Sequence, residues 1–300
     1  MFTIGIAASL TKIAQDSPAW KSLSKATVFI VDESHLCPAD SLAKVCFGLC
    51  ANAPYRFFFS GTQMRNDGQD LLLDGITGPI VYNMTVREGV DQGFLSKPHF
   101  KIIKVPSVSS YVTEDHQEMM QRHFYSNTTL AKEAAVMANK CVELLGHQVL
   151  ILIEHIEQFQ YLFPHLKGEV GFAHGGVTKT NKGFVPAQFH KSDPEELVKQ
   201  FNSGKLSILV GTSCIGTGTD IKPCKTVINL QGGQSEVKIR QAIGRGTRMT
   251  PDKSEFNYID FDVVLANVSE DMDEWPAFMR HAQERRRIYN DVYGPVEYIG

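Results

Sequence analysis

Asp32 and Glu33 close the apolar run Val28-Phe29-Ile30-Val31 and lead straight into Ser34 and His35. Unpaired carboxylates are costly to desolvate, so an acidic pair ending a buried strand asks for a counter-charge or for water. An aspartate there can hold Mg²⁺ through water, because the ion favours oxygen ligands and keeps part of its hydration shell. An adjacent glutamate can orient and deprotonate a water that attacks a phosphoryl group. The plainer alternative is a strand end whose solvated acids cap the next helix. These residues alone leave both readings open.

Three further stretches have a similar character. Ser60-Gly61-Thr62 follows the run Arg56-Phe57-Phe58-Phe59 and offers two hydroxyls around a tight turn, a weak signal by itself. Residues 209–223, LVGTSCIGTGTDIKP, place glycines 211, 216 and 218 among threonines 212, 217 and 219. Gly211 to Gly216 has the spacing of a phosphate-binding loop, but Thr217 stands where lysine is required, which excludes that loop. Residues 241–249, QAIGRGTRM, set Arg245 and Arg248 three apart, on one face if the stretch is helical. Two guanidiniums there repel unless an anion or carboxylates lie between them, and their planar forks suit phosphate oxygens.

Such residues need strands to end beside them. Short apolar runs alternate with helical patterns along the chain, which is the rhythm of a parallel sheet with helices on both faces. Residues 26–32, 56–62 and 80–85 read as strands, with a helix over 38–50 between the first two. Gly93 and Pro98 mark a connection, after which a strand restarts at 99–105. Further strands are expected at 148–153, 169–174, 206–212, 225–230 and 255–261. Helices are expected over 127–145, 157–166 and 194–204, the last capped by Asp193, and from about Glu236. In doubly wound sheets ligands bind beyond the carboxyl ends of the strands, where all four stretches fall. The last stretch, 279–294, reads as a charged surface helix with Arg285–Arg287 on a solvated face.

The 300 residues, 43% hydrophobic and 21% charged, suit a globular chain of two domains. A formal net charge of −3 excludes a strongly basic nucleic-acid coat but leaves room for a local cleft. The six cysteines form no CxxC pair or zinc-ribbon spacing and read as reduced, mostly buried thiols. No stretch approaches the roughly 20 apolar residues of a membrane span, and the apolar N-terminus lacks a basic signal-peptide region. A cytoplasmic location, host cytoplasm for a viral protein, is expected.

In their order, these stretches resemble the motifs of the superfamily 2 helicases, nucleic-acid-dependent ATPases built from two RecA-like domains. Asp32-Glu33-Ser34-His35 looks like the DExH motif, and Ser60-Gly61-Thr62 like the coupling motif that is more often Ser-Ala-Thr. Residues 209–220 look like the motif before the last block, and 241–248 match QxxGRxxR in full. REGVDQGFLSKP (87–98) and VGFAHGG (170–176) resemble connecting elements of the branch holding type III restriction subunits and phage recombination-repair helicases. The resemblance implies an α/β fold of two doubly wound RecA-like domains, the first only partial. Their spans would be 1–95 and 96–268, with a helical tail over 269–300. It implies that ATP is hydrolysed between the domains. Asp32 would hold Mg²⁺, Glu33 would activate water, and Gln241, Arg245 and Arg248 would serve the γ-phosphate. Gly218 and Asp220 would lie near the nucleotide. His35, Ser60 and Thr62 would couple its state to domain closure, and Gly211 and Thr212 would touch nucleic acid, with DNA favoured over RNA.

One departure matters. No GK[ST] occurs in the chain, and Gly204-Lys205 is followed by Leu206, so the phosphate-binding loop of the family lacks a counterpart. A separate N-terminal fragment carrying that loop is therefore an expected partner, unless the chain is a truncated reading of a longer helicase. The alternative is an ATPase-inactive remnant retained for nucleic-acid binding or regulation.

Overall fold

The computed structural model describes residues 3–61, 70–215, 220–221, 224–265, 271 and 275–299. The chain forms two compact units, Met1–Asn83 and Met84–Gly300.

In the first unit, α1 (Ala7–Leu10) and α2 (Pro18–Leu23) precede β1 (Val28–Val31), α3 (Asp40–Lys44), β2 (Tyr55–Phe58) and α4 (Asp70–Thr77). Ser17 starts α2 by accepting the Trp20 N–H, with Pro18 at the first helical position. Strands β1 and β2 run parallel, with Val28 opposite Tyr55 and Val31 opposite Phe58. The helix expected over 38–50 is α3 running into a π-helical turn at Val45–Leu49. Val31, Cys37, Cys46, Leu73 and Ile76 bury one face of the strand pair. Val28, Ile30, Tyr55, Phe57 and Phe59 lie exposed on the other. The strand expected over 80–85 is not formed: those residues carry no regular structure. Ile80, Val81 and Tyr82 have strand-like side chains, but no strand among the described residues pairs with them. A strand exists only where a neighbour takes up its backbone groups.

The second unit opens with α5 (Val86–Asp91), started by a reciprocal Thr85–Glu88 cap. Then come β3 (Lys97–Pro106), α6 (His116–Met120), α7 (Thr128–Leu145), β4 (Gln148–Ile153), α8 (Phe159–Leu162), β5 (Val170–Ala173) and α9 (Pro194–Asn202). The remainder is β6 (Ile208–Gly211), β7 (Cys224–Leu230), α10 (Glu236–Gly246), β8 (Glu255–Val264), α11 (Ala277–Val292) and β9 (Glu297–Ile299). The seven strands pair in parallel in the order β5-β6-β4-β7-β8-β3-β9. This is the expected α/β class. Alternation along β4 shows why both faces are covered. Val149, Ile151 and Ile153 pack with Leu130, Ala134 and Ala138 of α7, while Leu150 and Leu152 pack with α9 and α10.

Residues 84–95 group with the second unit, upstream of the division expected at 93–98. Buried Ser96 donates its N–H to the Thr247 carbonyl at 2.7 Å. Helix α11 also belongs to this unit, and the expected solvated Arg285–Arg287 run is corrected at Arg285. Phe278, Ala282, Arg285, Ile288, Tyr289 and Val292 are buried, because α11 offers Arg285 to a carboxylate of β8. Arg287 stays on the surface, paired with Glu284 and Asp291.

Candidate nucleotide and nucleic-acid site

In the first unit, β1 ends at Val31 and the chain turns sharply. Glu33 has φ +52, a left-handed conformation uncommon for a residue with a Cβ. Asp32 Oδ1 accepts the Glu33 N–H at 2.9 Å. The Ser34 N–H donates to the Phe59 carbonyl and the Phe59 N–H to the Val31 carbonyl, each at 2.8 Å, so the ends of β1 and β2 are tied together. His35 Nδ1 then lies 3.0 Å from Ser60 Oγ and 3.3 Å from Glu33 Oε2. The imidazole is nearly buried, whereas the Glu33 carboxylate is half exposed. The result is an outward-facing carboxylate oriented by a histidine that also touches the second motif. Thr62 lies outside the described residues.

Asp32 is exposed beside Glu33, and its oxygen chemistry fits a hydrated Mg²⁺. Among the described residues no group of three or more His, Cys, Asp or Glu side chains could enclose a metal ion. A Mg²⁺ at Asp32 would draw its other ligands from water and phosphate.

In the second unit, Gly211 and Thr212 end β6 and are both buried. The Thr212 N–H donates to the Ala173 carbonyl at 3.2 Å, and its hydroxyl donates to Cys214 Sγ at 3.5 Å. Gly218 lies outside the described residues. Asp220 forms an ion pair with Arg248, both about half exposed. The Asp220 carbonyl accepts from Asn202 Nδ2 at 2.7 Å.

Helix α10 buries Ile239, Ala242, Ile243 and Gly246, which leaves Lys238, Gln241 and Arg245 along another side. Lys238 Nζ reaches Glu154 Oε1, just past the end of β4, at 2.7 Å. The expectation that Arg245 and Arg248 share a helical face is corrected. The helix stops at Gly246, and Arg248 lies in an isolated antiparallel bridge with Leu95. At Gly246 the backbone lies so close to Phe256 that a Cβ would overlap the ring. Thr247 then closes the helix, its hydroxyl donating to the Gly244 carbonyl at 3.0 Å. Ser96 Oγ lies 3.2 Å from the carbonyls of both Arg248 and Lys253, its donor shared between them, and so anchors the segment that carries Arg248. The two arginines thus stand on different supports, and Arg248 meets Asp220 instead of Arg245.

The sequence reading missed the polar residues under this surface. Arg285 Nε donates to Asp260 Oδ2 at 2.6 Å, and the Tyr289 hydroxyl donates to the same oxygen at 2.7 Å. Burial opposes the guanidinium charge, but Asp260 beside it holds Arg285 well above the usual arginine range. Burial pushes the neighbouring Asp262 carboxyl up, against the pull of Arg286. Their signal was present in Tyr258-Ile259-Asp260-Phe261-Asp262, two acids at alternate positions of an apolar strand.

With this geometry in view, residues 135–250 match the family described as helicase conserved C-terminal domain. The matched residues all lie within the second unit. A protein of Sulfolobus islandicus filamentous virus (isolate Iceland/Hveragerdi), provisionally named helicase 22, is 23% identical over 250 residues, 79% of this chain and 43% of its own. The DNA 3'-5' translocase XPB2 of Sulfurisphaera tokodaii is 23% identical over 254 residues, 74% of this chain and 56% of its own. Among solved structures, S. cerevisiae Dbp5 bound to RNA and ADP BeF3 superposes with a TM-score of 0.52 at 13% identity, covering 92% of this chain and 60% of that one. That likeness is one of fold, and the helicase C-terminal domain here is RecA-like. The resemblance to superfamily 2 helicases read from the motifs stands. This chain spans about half the length of the curated relatives it matches. Among the described residues no helix is long and apolar enough to cross a membrane.

Proposed function

We propose that this chain is the larger part of an ATP-dependent superfamily 2 helicase or translocase acting on DNA. The observation that carries the reading is the Glu33 carboxylate, turned outward by a left-handed backbone and oriented by His35, which bonds Ser60. In this reading Glu33 is the general base for the attacking water and Asp32 holds Mg²⁺ through water. Gln241, Arg245 and Arg248 serve the γ-phosphate, and Gly218 and Asp220 lie near the nucleotide. His35, Ser60 and Thr62 report its state, and Gly211 and Thr212 belong to the DNA-contacting segment. The ion pair with Asp220 supports keeping Arg248 beside the nucleotide-binding groups. The DNA assignment follows the translocase relative.

The exposed face of Val28, Ile30, Tyr55, Phe57 and Phe59 supports a partner segment over the first unit, because parallel sheets are stable with both faces covered. A separate fragment carrying the phosphate-binding loop fits that place. The absence of GK[ST] from the chain favours a second reading, a binding module that does not hydrolyse ATP.

Hydrolysis by the chain with that fragment, measured with and without single-stranded DNA, distinguishes the two. Glu33→Gln is expected to lower the DNA-stimulated rate by about 10²–10⁴-fold, the usual weight of a general base. An unchanged rate in Glu33→Gln would falsify the assignment. No hydrolysis, together with single-strand binding that weakens steeply with salt, would establish the second reading.

A further inference from the structure

We propose that Arg285 of α11 is a positioning residue for α10, fixing the turn from which Gln241 and Arg245 are presented. The proposal rests on the reading above that those two side chains serve a bound nucleotide. The turn joins β7 to α10 through Gln231-Gly232-Gly233-Gln234-Ser235. Four successive carbonyls at its start accept from side chains. Gln158 Nε2 donates to Leu230 at 2.9 Å and the Tyr125 hydroxyl to Gln231 at 3.2 Å. Arg285 Nη1 takes the next two, Gly232 at 2.9 Å and Gly233 at 3.4 Å.

Gly232 gives the turn its shape. Its φ is +67, and a Cβ there would lie 2.7 Å from the Phe124 ring. Backbone in that conformation has no ladder partner for its carbonyls, so a side-chain donor must be brought to it. Arg285 suits the task because its fork is rigid and presents donors in several directions at once. While Nη1 holds the turn, Nε is bound to Asp260 and Nη2 donates to the Phe261 carbonyl at 3.1 Å. The guanidinium therefore links β8 to the turn before α10, and the Tyr289 hydroxyl steadies the carboxylate from α11 itself.

This arrangement differs from an ion pair that only stabilises a core. A buried pair of that kind can often be replaced by apolar residues at no cost, but such a replacement here would take from the Gly232 and Gly233 carbonyls the donor that Arg285 supplies, leaving only the contact from His281 at Gly232. Downstream, α10 is clamped on its apolar side by Ile239, Ala242 and Ile243. What remains for Arg285 to set is the entry of the helix, and with it the aim of the opposite side.

Two variants of the whole chain test this, Arg285→Lys and the paired change Asp260→Asn with Arg285→Gln, which removes both charges should the single change fail to fold. Amide hydrogen exchange is read at residues 231–241 and, as a reference, in β4 and β6. DNA-stimulated ATP hydrolysis by the chain with its phosphate-loop fragment is read as kcat and KM. The expected result is exchange about tenfold faster in 231–241 with the reference strands unchanged, the effect of losing one hydrogen bond's worth of protection. In turnover, kcat falls about tenfold with little change in KM, as for an interaction made in the transition state. Wild-type exchange at 231–241, or acceleration spread evenly over β4 and β6, would overturn the proposal. Should the wild type hydrolyse no ATP, the reading of the site fails. The exchange comparison still decides whether Arg285 holds the turn.

Discussion

Acid should weaken the second unit through imidazoles that burial holds below their usual range, His123, His147 and, most strongly shifted, His281. His281 lies on α11 one turn before Arg285, is only 6% exposed, and has its Nε2 3.1 Å from Nε2 of His116. Burial chiefly, then the charges of His116, Arg285 and Arg280, push the His281 imidazole from 6.5 down to about 4, against a raising contact with the Gly232 carbonyl. Because the folded value is the lower one, His281 contributes its full stability above about 6.5 and loses it as the pH falls through about 4. Within that window the unfolded chain holds the extra proton, so stability rises with pH by up to about 1.4 kcal/mol per pH unit. Asp262 works the other way. Its carboxyl is raised above 3.8, chiefly by burial, so its contribution is complete below 3.8 and lost as the pH rises through the folded value.

Comparing the protein with its His281→Gln variant removes the contributions of Asp262, His123 and His147, which both share. Urea unfolding is followed by fluorescence in a Trp20→Phe background, where Trp275 alone reports the second unit. The stability difference between the histidine form and the His281→Gln variant is expected to shift by about 2 kcal/mol between pH 7 and pH 5, against the histidine form at the lower pH. Parallel stability curves over that range would refute the reasoning, because they would mean that His281 takes up its proton equally well when folded.

Gly246→Ala should destabilise the second unit by about 1–3 kcal/mol, since the added Cβ overlaps Phe256 in a packed core. A thermal midpoint within a degree of wild type would contradict it, as each kcal/mol is worth roughly 2–4 °C at this size. Asn127→Ala removes the cap of α7, whose Oδ1 accepts the Leu130 N–H at 3.0 Å and whose Nδ2 donates to the His123 carbonyl at 3.0 Å. A loss of about 1–2 kcal/mol in urea unfolding is expected, and an unchanged midpoint would count against the cap.

Strands β4 and β6 were legible from the unbroken apolar runs that a sheet covered on both faces requires, and β7 and β8 from apolar runs interrupted at single polar positions such as Asn229 and Asp260. Helices α7 and α9 were legible from Asn127 and Asp193 at their starts. Residues 80–85 look like a strand because propensity is local, whereas pairing depends on a neighbour distant in sequence. Strand β9 has three residues and joins β3 at Lys101–Ile103, too short for any periodicity to reveal. Arg285 looked solvated because a basic run on a helix is read against its own helix, and its partner Asp260 lies 25 residues away on β8. Spacing placed Arg245 and Arg248 on one helical face, but it could not register that the helix stops at Gly246, close against Phe256, with Ser96 holding the Arg248 carbonyl beyond it.

One physical requirement connects the legible motifs to the hidden network. Where a parallel strand ends, its carbonyls lose their ladder partners and must find donors or stay wet. Here side chains outside the motifs meet much of that need. Gln158 serves Leu230 at the end of β7 and Asn127 reaches Pro106 at the end of β3 at 3.4 Å, while within strands Arg285 serves Phe261 of β8 and Ser192 serves Phe172 of the edge strand β5 at 3.2 Å. Three of these donors, Asn127, Gln158 and Arg285, are buried, at positions that a sequence reading assigns to core or surface. Their effect is to keep the backbone satisfied from within at the same edge where Asp220, Gln241, Arg245 and Arg248 are displayed. A side chain employed in repairing a strand end could not also follow a ligand through a cycle of binding and release. The division of labour therefore leaves these backbone carbonyls to donors outside the motifs and keeps the motif side chains out of that task.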